Sequence, residues 1–379
     1  MNNTMIKGLV IWACSNCRSM MGLYDELQKL LGVKVVVALW NYKKNSCEIT
    51  ARERLGFKSD EFSGLNMIPV GADWNRGVAV LNEYRGFRHL FAVYQAAPNF
   101  CKLMVEAHKR GERIGVISEA PCNSERGLRY FMKQYVYLPY VLKRKVQDVV
   151  RISDFILNLS GDHTAYLRLI GWEDKKIIPF GYFPPALPGS VSKERIFGGG
   201  LHILSTGIME WRRGPDILLK ALGLLKTWNV NYRATITQGG PMFAKLQKFA
   251  EARQLPVRFC GFLPMDELIR LYQECSVYVA TGRREPWGMR LNDALNCGAP
   301  LIVSRGMGGV KLVDELGCGL SFEAEDYVDL AHKLKKFADD ESLYIRCARA
   351  ASVAASRISP KKKVIEMLKS IRESSPDWI

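Results

Sequence analysis

The sequence predicts an α/β protein with two domains, each built around a parallel sheet. Apolar strand-like runs alternate with amphipathic helical segments both before residue 185 and after residue 200, a pattern typical of parallel sheets. The length, 379 residues, exceeds what one hydrophobic core usually organises. A stretch rich in proline and glycine separates the two halves. We therefore expect a first domain at 1–185, a linker at 186–200, a second domain at 201–355 and a C-terminal helix within 356–379.

The composition is that of a globular protein with an anionic partner. Apolar residues make up 48% of the chain, charged residues make up 24%, and the formal net charge is +16. Such a charge favours a nucleotide, a nucleic acid or an anionic lipid without choosing between them. No apolar run of about 18 residues occurs, so no transmembrane helix is expected. The first residues turn polar too early for a signal peptide, and the 10 cysteines then indicate free thiols in the cytoplasm.

The first domain is predicted to open with a β-α-β unit: a strand at 6–12, a helix at 20–31 and a strand at 33–40. No G-x-G-x-x-G motif follows the first strand, so a dinucleotide site of that type is not expected. Cys14 and Cys17 form a lone C-x-x-C pair. Without a second pair a zinc site is not expected, which leaves a loop near the ligand or a redox pair at a helix start.

Three polar residues of the first domain are candidates for its ligand-binding edge. Residues 41–75 look irregular, and apolar residues alternate again at 78–80 and around Leu90, before a helix at 97–109 and a strand at 114–118. Ligands bind outside the carboxyl ends of parallel strands, so Ser118 and Glu119 could line the site. The alternative for Glu119 is a capping acid in a loop. His163 either faces the ligand or caps a helix predicted at 164–170.

Residues 126–151 combine basic and aromatic side chains. Seven basic residues stand against the single acid Asp148: Arg126, Arg129, Lys133, Lys143, Arg144, Lys145 and Arg151. Five aromatic residues are interleaved with them: Tyr130, Phe131, Tyr135, Tyr137 and Tyr140. This mixture suits an anionic membrane surface, and a partly buried helix pair with a solvated basic face is the alternative. Nucleic acid could use the same chemistry, but no nucleic-acid-binding motif accompanies the stretch, so that partner is not expected.

The alternation of strands and helices continues to the end of the chain. Strands are predicted at 154–158 and 176–179 in the first domain. In the second half of the chain, strands are predicted at 201–206, 232–237, 257–260, 277–280 and 301–303. Helices are predicted at 215–227, 242–252 and 265–274, from residues 326 and 341 onward, and at 361–372.

One segment of this half, residues 285–300, joins two buried strands through a turn and a helix. We expect the helix to begin near Pro286, which tolerates a first turn, and to end before Gly298 and Pro300. The N–H groups of Gly288 and Met289 would then lie at a helix start, where an anion is favoured. Two acids, Glu285 and Asp293, flank this start, and carboxylates accept paired hydrogen bonds from sugar hydroxyls.

This segment resembles the signature of the retaining glycosyltransferases of family 4, the group 1 glycosyltransferases with the GT-B fold. Their pattern is E-P-F-G-x-x-x-x-E-A-x-x-x-G-x-P, and this chain matches it except that Trp287 replaces Phe and Asp293 replaces the second Glu. The resemblance implies that Glu285 contacts the donor sugar and that Asp293 holds the ribose. It also implies two Rossmann-like domains with parallel sheets facing across a cleft, and a C-terminal helix within 356–379 that crosses back to the first domain.

The resemblance extends to the segment 207–214. The family has G-R, then K-G at a helix start, and uses both cations on the donor diphosphate. Here Gly207 and Gly214 match, Arg213 stands in place of the Lys, and Ile208 replaces the Arg. Arg213 can still bind phosphate. Arg212 either substitutes for the missing cation or is a surface charge.

Two further glycine-containing turns complete the donor site that the resemblance implies. Gly308 and Gly309 resemble the family's glycine pair beside the donor. Gly261, Phe262 and Leu263 correspond to the turn that grips the nucleobase through backbone groups.

The resemblance implies a retaining, metal-independent glycosyltransferase that uses a nucleotide diphosphate-sugar and needs no cofactor. The acceptor would be a glycan or a lipid-linked molecule, within bacterial lipopolysaccharide or capsule synthesis. Glu285 and Arg213 would be catalytic, and the enzyme would be cytoplasmic, with peripheral membrane contact through 126–151. A non-catalytic or epimerase-like nucleotide-sugar-binding protein and a basic nucleic-acid-binding protein are the alternatives.

Overall fold

The computed structural model describes residues 6–14, 18–40, 64–92, 98–121, 123, 125–198 and 200–379. Ser15, Asn16 and Cys17 of the C-x-x-C segment, most of the irregular stretch 41–75 and residues 93–95 of the segment around Leu90 lie outside these ranges. The chain divides into two compact units. Residues 1–185 and 360–379 form the first, and residues 186–359 form the second.

The first unit contains a seven-stranded parallel sheet with the strand order β3-β2-β1-β4-β5-β6-β7. Its strands are β1 (Gly8–Ala13), β2 (Lys34–Leu39), β3 (Asn66–Pro69), β4 (Arg88–Ala92), β5 (Ile114–Ser118), β6 (Phe155–Asn158) and β7 (Ile177–Pro179). The central strands are buried along their whole length, which is why they read as continuous apolar runs.

Helices pack on this sheet through apolar residues at helical spacing. They are α1 (Arg18–Leu31), α2 (Trp74–Glu83), α3 (Pro98–Lys109), α4 (Gly127–Met132), α5 (Lys143–Ile152) and α6 (Ala165–Leu169), and a π-helix, Lys133–Leu142, joins α4 to α5. In α3, for example, Phe100, Leu103, Met104 and Ala107 are fully buried. Their spacing places them on one face of the helix.

One local prediction in this unit is wrong. The alternating residues 78–80, which the sequence did not assign to an element, lie inside α2, and Asp73 caps this helix by accepting a hydrogen bond from the Arg76 N–H at 3.1 Å. The stretch 41–75 was expected to be irregular, yet residues 66–69 form the edge strand β3, which pairs with β2.

The C-terminal segment belongs to the first unit. Helix α14 (Pro360–Ser374) packs on α1, and the residues after it reach the start of β4. Arg88 donates hydrogen bonds to the carbonyl oxygens of Trp378 at 2.8 Å and Asp377 at 2.9 Å. The Trp378 ring is buried edge-on against Phe155, with the ring centroids 4.9 Å apart.

The second unit contains a six-stranded parallel sheet with the order β10-β9-β8-β11-β12-β13. Its strands are β8 (Leu201–Thr206), β9 (Tyr232–Thr237), β10 (Val257–Phe259), β11 (Val277–Ala280), β12 (Leu301–Ser304) and β13 (Gly319–Phe322). The strand order reverses between β8 and β11, which lie side by side. In sheets of this kind, ligands bind at the carboxyl ends of the strands that flank such a switch point.

The helices of the second unit follow the predicted segments closely, except at one start described below. They are α7 (Pro215–Thr227), α8 (Phe243–Ala252), α9 (Met265–Glu274), α10 (Arg290–Asn296), α11 (Lys311–Leu316), α12 (Tyr327–Asp339) and α13 (Glu341–Arg357). Asp326 and Asp340 cap α12 and α13 through side-chain hydrogen bonds. The predicted α/β class with two parallel sheets is thus confirmed. Within the described ranges, no helix combines the length and apolarity needed to cross a membrane.

A buried histidine links stability of the first unit to pH. His89 accepts a hydrogen bond at Nδ1 from Trp12 Nε1 at 3.0 Å, and its Nε2 makes no hydrogen bond to the described residues. Burial lowers the pKa of His89 to about 3. The native imidazole therefore stays neutral, whereas in the unfolded chain it takes a proton near pH 6.5.

We predict that the free energy of unfolding falls as the pH drops from about 6.5 towards 3, because the unfolded state binds one more proton. The contribution of His89 is about 1.4 kcal/mol per pH unit. In urea unfolding between pH 7 and pH 4, His89→Gln should flatten this slope. His108→Gln, a change at an exposed position of α3, should leave the slope as it is. Equal slopes in His89→Gln and the unmodified chain would contradict this account.

Candidate functional site

The candidate site lies in the second unit, where two segments leave the neighbouring strands β8 and β11. Residues 207–214 follow β8, and residues 281–289 follow β11. Hydrogen bonds join the two segments: the Arg283 N–H donates to the carbonyl oxygen of Arg212 at 2.9 Å, and the Thr281 hydroxyl donates to that of Arg213 at 3.0 Å. Gly214 starts α7 with φ of +65°, and a Cβ there would collide with the Thr281 carbonyl oxygen. Only glycine allows this approach.

Glu285 forms ion pairs with two arginines across this junction. Its Oε2 lies 2.7 Å from Arg212 Nη1 and 3.2 Å from Arg213 Nη1. The Glu285 side chain is only 11% exposed, so water screens these pairs less than it would on the surface. The structure thus brings together the predicted catalytic residues Glu285 and Arg213 with Arg212, which is paired and not a free surface charge.

Arg213 is the more constrained of the two arginines. Its Nε is buried and makes no hydrogen bond to the residues that the structure describes, although Glu210 Oε1 lies 3.7 Å away. Burial lowers the pKa of the Arg213 guanidinium, Glu285 opposes this change, and the positive charges of Arg290 and Arg212 lower the pKa further. Several guanidinium groups are therefore crowded together, and an anion placed among them would relieve their repulsion.

The backbone of Glu285 is held by the segment that follows β12. The Glu285 N–H donates to the Gly306 carbonyl oxygen, and the Gly308 N–H donates to the Glu285 carbonyl oxygen, each at 3.0 Å. The Gly309 N–H donates to the carbonyl oxygen of Trp287, also at 3.0 Å. The amides of Gly308 and Gly309 are therefore used within the chain. Their role as donor contacts stays a prediction, and these bonds give them a positioning role as well.

The helix of the 285–300 segment starts later than the sequence predicts. It begins at Arg290, not near Pro286. Glu285 instead forms a parallel bridge with Met307, and Gly288 adopts φ of +95°, which no helical residue has. A Cβ at Gly288 would also collide with the Met307 side chain. Met289 is the N-cap residue, so both amides still precede the helix, and Gly298 ends it in the left-handed conformation as predicted.

Asp293 lies in the first turn of α10, near a buried cluster of hydroxyl groups. Thr206 Oγ1 lies 2.9 Å from the Tyr272 hydroxyl and 3.0 Å from the Tyr278 hydroxyl. Burial raises the pKa of Tyr278, and the charge of Asp293 contributes to this rise while that of Arg290 opposes it. Asp293 and Arg290 are therefore both close to the carboxyl end of β8. The assignment of Asp293 to the ribose stays a prediction.

The predicted nucleobase turn lies at the ends of β9 and β10. Gly261 has φ of +65°, and its carbonyl oxygen accepts a hydrogen bond from the Gln238 N–H. Phe262 is 71% exposed and lies beside Gly239, while Leu263 is half-buried. This turn therefore presents an aromatic ring at the carboxyl edge of the sheet, and its contact with a base stays a prediction.

The candidates in the first unit lie at the carboxyl ends of β5 and β6. Ser118 is buried and donates a hydrogen bond to the Glu119 carbonyl oxygen at 3.2 Å. Glu119 accepts a hydrogen bond from the Tyr182 hydroxyl at 3.0 Å. His163 does not cap α6, because Thr164 is the N-cap residue. The acceptor role of all three residues stays a prediction.

Sequence reasoning missed Arg283, which fixes the segment 207–214. Its guanidinium is almost fully buried and forms a bidentate pair with Asp216 of α7 at 2.7 and 2.9 Å. It also donates to the Trp211 carbonyl oxygen at 2.7 Å and pairs with Glu325 at 3.3 Å. Burial acts to lower the pKa of Arg283, but Asp216 and Glu325 outweigh it and raise that pKa. In the sequence, the only indication of this role is that Arg283 is a basic residue two positions before Glu285.

The described residues contain no group of three or more His, Cys, Asp or Glu side chains placed to hold a metal ion. The positive charge of the site is instead supplied by guanidinium groups.

We predict that Arg283→Ala destabilises the second unit by about 3–5 kcal/mol, because Asp216 loses its partner in a partly buried position. Arg283→Lys should recover only part of this loss, since it cannot pair bidentately. Urea unfolding of Arg283→Ala, Asp216→Asn and the double variant measures the coupling. Arg270→Ala, which removes an exposed ion pair of α9, serves as the control. Strictly additive losses would show that the pair does not hold the segment.

The chain is similar to known proteins both in sequence and in fold. Residues 190–354 match the family model described as "Glycosyl transferases group 1". A curated relative, D-inositol 3-phosphate glycosyltransferase of Corynebacterium jeikeium (strain K411), is 26% identical over 40% of this chain and 39% of that relative. The chain spans between 39% and 52% of the length of the first curated relatives it matches.

Solved structures resemble nearly the whole chain. The apo form of the lipopolysaccharide outer core galactosyltransferase WaaB has a TM-score of 0.67 at 12% identity, covering 97% of this chain and 99% of that chain. HepE of Anabaena, in complex with UDP, has a TM-score of 0.69 at 13% identity, covering 97% of this chain and all of that chain. At such identities the likeness concerns the fold, and it confirms the predicted GT-B class. Residues 190–354, the part of the chain that carries the Glu285 site, are thus similar to the group 1 glycosyltransferases.

Proposed function

We propose that the chain is a retaining glycosyltransferase that moves a sugar from a nucleotide diphosphate-sugar to a hydroxyl of a glycan or lipid-linked acceptor. One observation carries this proposal. A partly buried carboxylate, Glu285, lies within 3.2 Å of two guanidinium groups at the switch point of a doubly wound sheet. A carboxylate can orient sugar hydroxyls, and guanidinium groups can bind a diphosphate. Their adjacency suits a ligand that carries both.

In this proposal Glu285 orients the donor sugar, and Arg213 stabilises the charge that develops on the departing diphosphate. The amides of Gly288 and Met289, which precede α10, would assist Arg213. Each well-placed donor of this kind contributes on the order of 3–4 kcal/mol to transition-state stabilisation. Asp293 would hold the ribose, and Gly261, Phe262 and Leu263 the base. The leaving phosphate would accept the proton of the attacking hydroxyl, so the reaction needs neither a protein base nor a metal.

The relatives support the choice of donor and suggest a cell-envelope role. HepE was solved with UDP and with UDP-glucose, and WaaB is a lipopolysaccharide galactosyltransferase. We propose the same class of donor here and an acceptor in bacterial envelope polysaccharide synthesis. Ser118, Glu119 and His163 of the first unit are the residues proposed to serve the acceptor.

The surface of residues 126–151 supports peripheral contact with an anionic membrane. Leu138, Leu142 and Val146 anchor the π-helix and α5 in the core, whereas Tyr135 and Tyr140 are 61% and 71% exposed. Four further apolar side chains are also exposed: Leu128, Phe131, Met132 and Val141. Several exposed apolar side chains in one short segment indicate an interaction site. Because exposed lysines and arginines are interleaved with them along the chain, we propose an anionic lipid surface as the partner.

For the proposed reaction, we predict that Glu285→Gln lowers transfer about a hundredfold or more and leaves nucleotide diphosphate binding intact. The amide keeps the shape of the side chain but loses the charge that orients the sugar. Release of nucleotide diphosphate from UDP-, ADP- and GDP-sugars measures transfer, and thermal stabilisation by the free diphosphates measures binding. A ligand at a hundred times its Kd adds about 2.7 kcal/mol to stability. EDTA should change neither result.

Glu267→Gln is the matched control for this prediction, because Glu267 is an exposed acid of α9. Full transfer by Glu285→Gln would remove Glu285 from the mechanism. Nucleotide binding without transfer by the unmodified chain would favour a non-catalytic or epimerase-like protein.

For the membrane, we predict that the chain sediments with vesicles of phosphatidylglycerol and phosphatidylcholine. Lys143→Gln with Arg144→Gln should weaken binding roughly thirtyfold, since each basic residue near the surface contributes about 1 kcal/mol. Tyr135→Ser with Tyr140→Ser should also weaken it. The control Ile196→Ser changes an even more exposed apolar residue of the second unit and should have no effect. Binding to a single-stranded oligonucleotide in preference to vesicles would refute lipid as the partner.

A further inference from the structure

Arg290, the first residue of α10, reaches across the carboxyl edge of the second sheet. Its Nη1 lies 2.9 Å from the position that a Cβ of Gly207 would occupy. Its Nη2 donates a hydrogen bond to Gln238 Oε1 at 3.2 Å. Gly207 follows β8 and Gln238 follows β9. The guanidinium of Arg290 therefore lies against the ends of two adjacent strands, although the residue itself comes from the connection after β11.

Carboxylates neutralise the charges of Arg212 and Arg213, whereas Arg290 has no such partner among the described residues. Glu285 and Glu210 pair with Arg212 and Arg213. For Arg290 the structure records a neutral amide as hydrogen-bond partner and no ion pair among the described residues. Arg290 is also close enough to Arg213 for its charge to oppose protonation of that guanidinium. A doubly charged anion between Arg213 and Arg290 would turn this repulsion into attraction.

Arg212 is less suited to this task. Its Nη1 lies 2.7 Å from Glu285, and its Nη2 lies 3.1 Å from Glu210. The same carboxylates lie farther from Arg213, at 3.2 and 3.7 Å, and Arg213 keeps an Nε without a hydrogen bond to the described residues. An anion would therefore have to displace a tighter pair at Arg212 than at Arg213. Arg290 would have to give up only an amide contact.

The residue after Gly207 cannot bind a phosphate through its side chain. Ile208 follows Gly207, and its apolar side chain is 43% exposed. An isoleucine can neither pair with a phosphate nor donate a hydrogen bond to it. The guanidinium of Arg290 lies over Gly207, the residue immediately before Ile208, so it places a positive charge at the start of this loop, where Ile208 supplies none.

We propose that Arg290 is the second diphosphate-binding cation of the donor site and acts together with Arg213. This inference rests on the proposed function and adds a residue to it. The planar fork of an arginine can donate two hydrogen bonds to a phosphate. Binding of the diphosphate would replace the contact between Arg290 and Gln238, so a nucleotide without phosphate groups should not depend on Arg290.

The test is calorimetric titration of Arg290→Gln with UDP, ADP and GDP and with the corresponding nucleosides. We expect affinity for the diphosphate that the unmodified chain binds to fall by about tenfold to a hundredfold, the range of one charge-assisted hydrogen bond. Affinity for its nucleoside should change less than threefold. Arg270→Gln, at an exposed position of α9, is the matched control and should bind both as the unmodified chain does.

A second variant places a positive charge next to Gly207, in the segment that follows β8. Ile208→Arg in the Arg290→Gln background should restore most of the lost diphosphate affinity. Thermal unfolding without ligand reports whether each variant is folded. If Arg290→Gln does not fold, Arg290→Lys replaces it, and we then expect a smaller loss of about threefold to tenfold, because the charge stays and the fork is lost.

The outcomes separate this inference from the proposed function. Unchanged diphosphate affinity in Arg290→Gln, with binding by the unmodified chain, would overturn the inference and leave the donor site in place. An equal loss of nucleoside and diphosphate affinity would also overturn it, since it would indicate distortion and not a lost charge. If the folded, unmodified chain bound none of the diphosphates, both the proposed function and this inference would fall.

Discussion

The ion pairs of Glu285 with Arg212 and Arg213 are the interaction on which the candidate site depends. They join the two segments that follow the parallel strands β8 and β11, so they exist only because these strands are neighbours in the sheet. A carboxylate and guanidinium groups held this close, and largely out of water, interact strongly. They also fix one another's orientation before any substrate arrives. Electrostatic stabilisation of a transition state requires this kind of preorganisation.

The site is rigid because the residues behind it are bonded as tightly as the site residues themselves. Arg283 ties the first segment to α7 through Asp216. The amides of Gly308 and Gly309 tie the second segment to the turn after β12. Each of these groups is satisfied within the chain, so their bonds need not break when a ligand binds. The groups that can change partners are those at the edge: Arg290, whose recorded side-chain hydrogen bond is to an amide, and the Nε of Arg213.

Much of the second unit could be predicted from the sequence, because its strands are buried apolar runs bounded by glycine and proline. Strands β8, β9 and β11 and helices α7 and α9 have the predicted bounds. A local signal failed at the start of α10, because the bridge of Glu285 to Met307 delays the helix that was expected near Pro286. Pairs far apart in the chain could not be predicted. Arg283 and Asp216 are 67 residues apart, and only the crossover between β8 and β11 brings them together.

The basic residues of the chain fall into two groups, paired arginines and exposed lysines and arginines, which the net charge of +16 does not distinguish. In the second unit, Arg212, Arg213 and Arg283 are held in place by carboxylates. Arg290 and the Nε of Arg213 are then the groups that suit one small anion bound in a defined orientation. In the first unit, Lys143 and Arg144 are exposed beside the exposed rings of Tyr135 and Tyr140. Exposed charges near exposed apolar side chains suit an extended anionic surface without fixed geometry. The two arrangements therefore differ in the kind of anion that they suit, which is the reason for proposing two separate partners, a phosphorylated donor and a lipid surface.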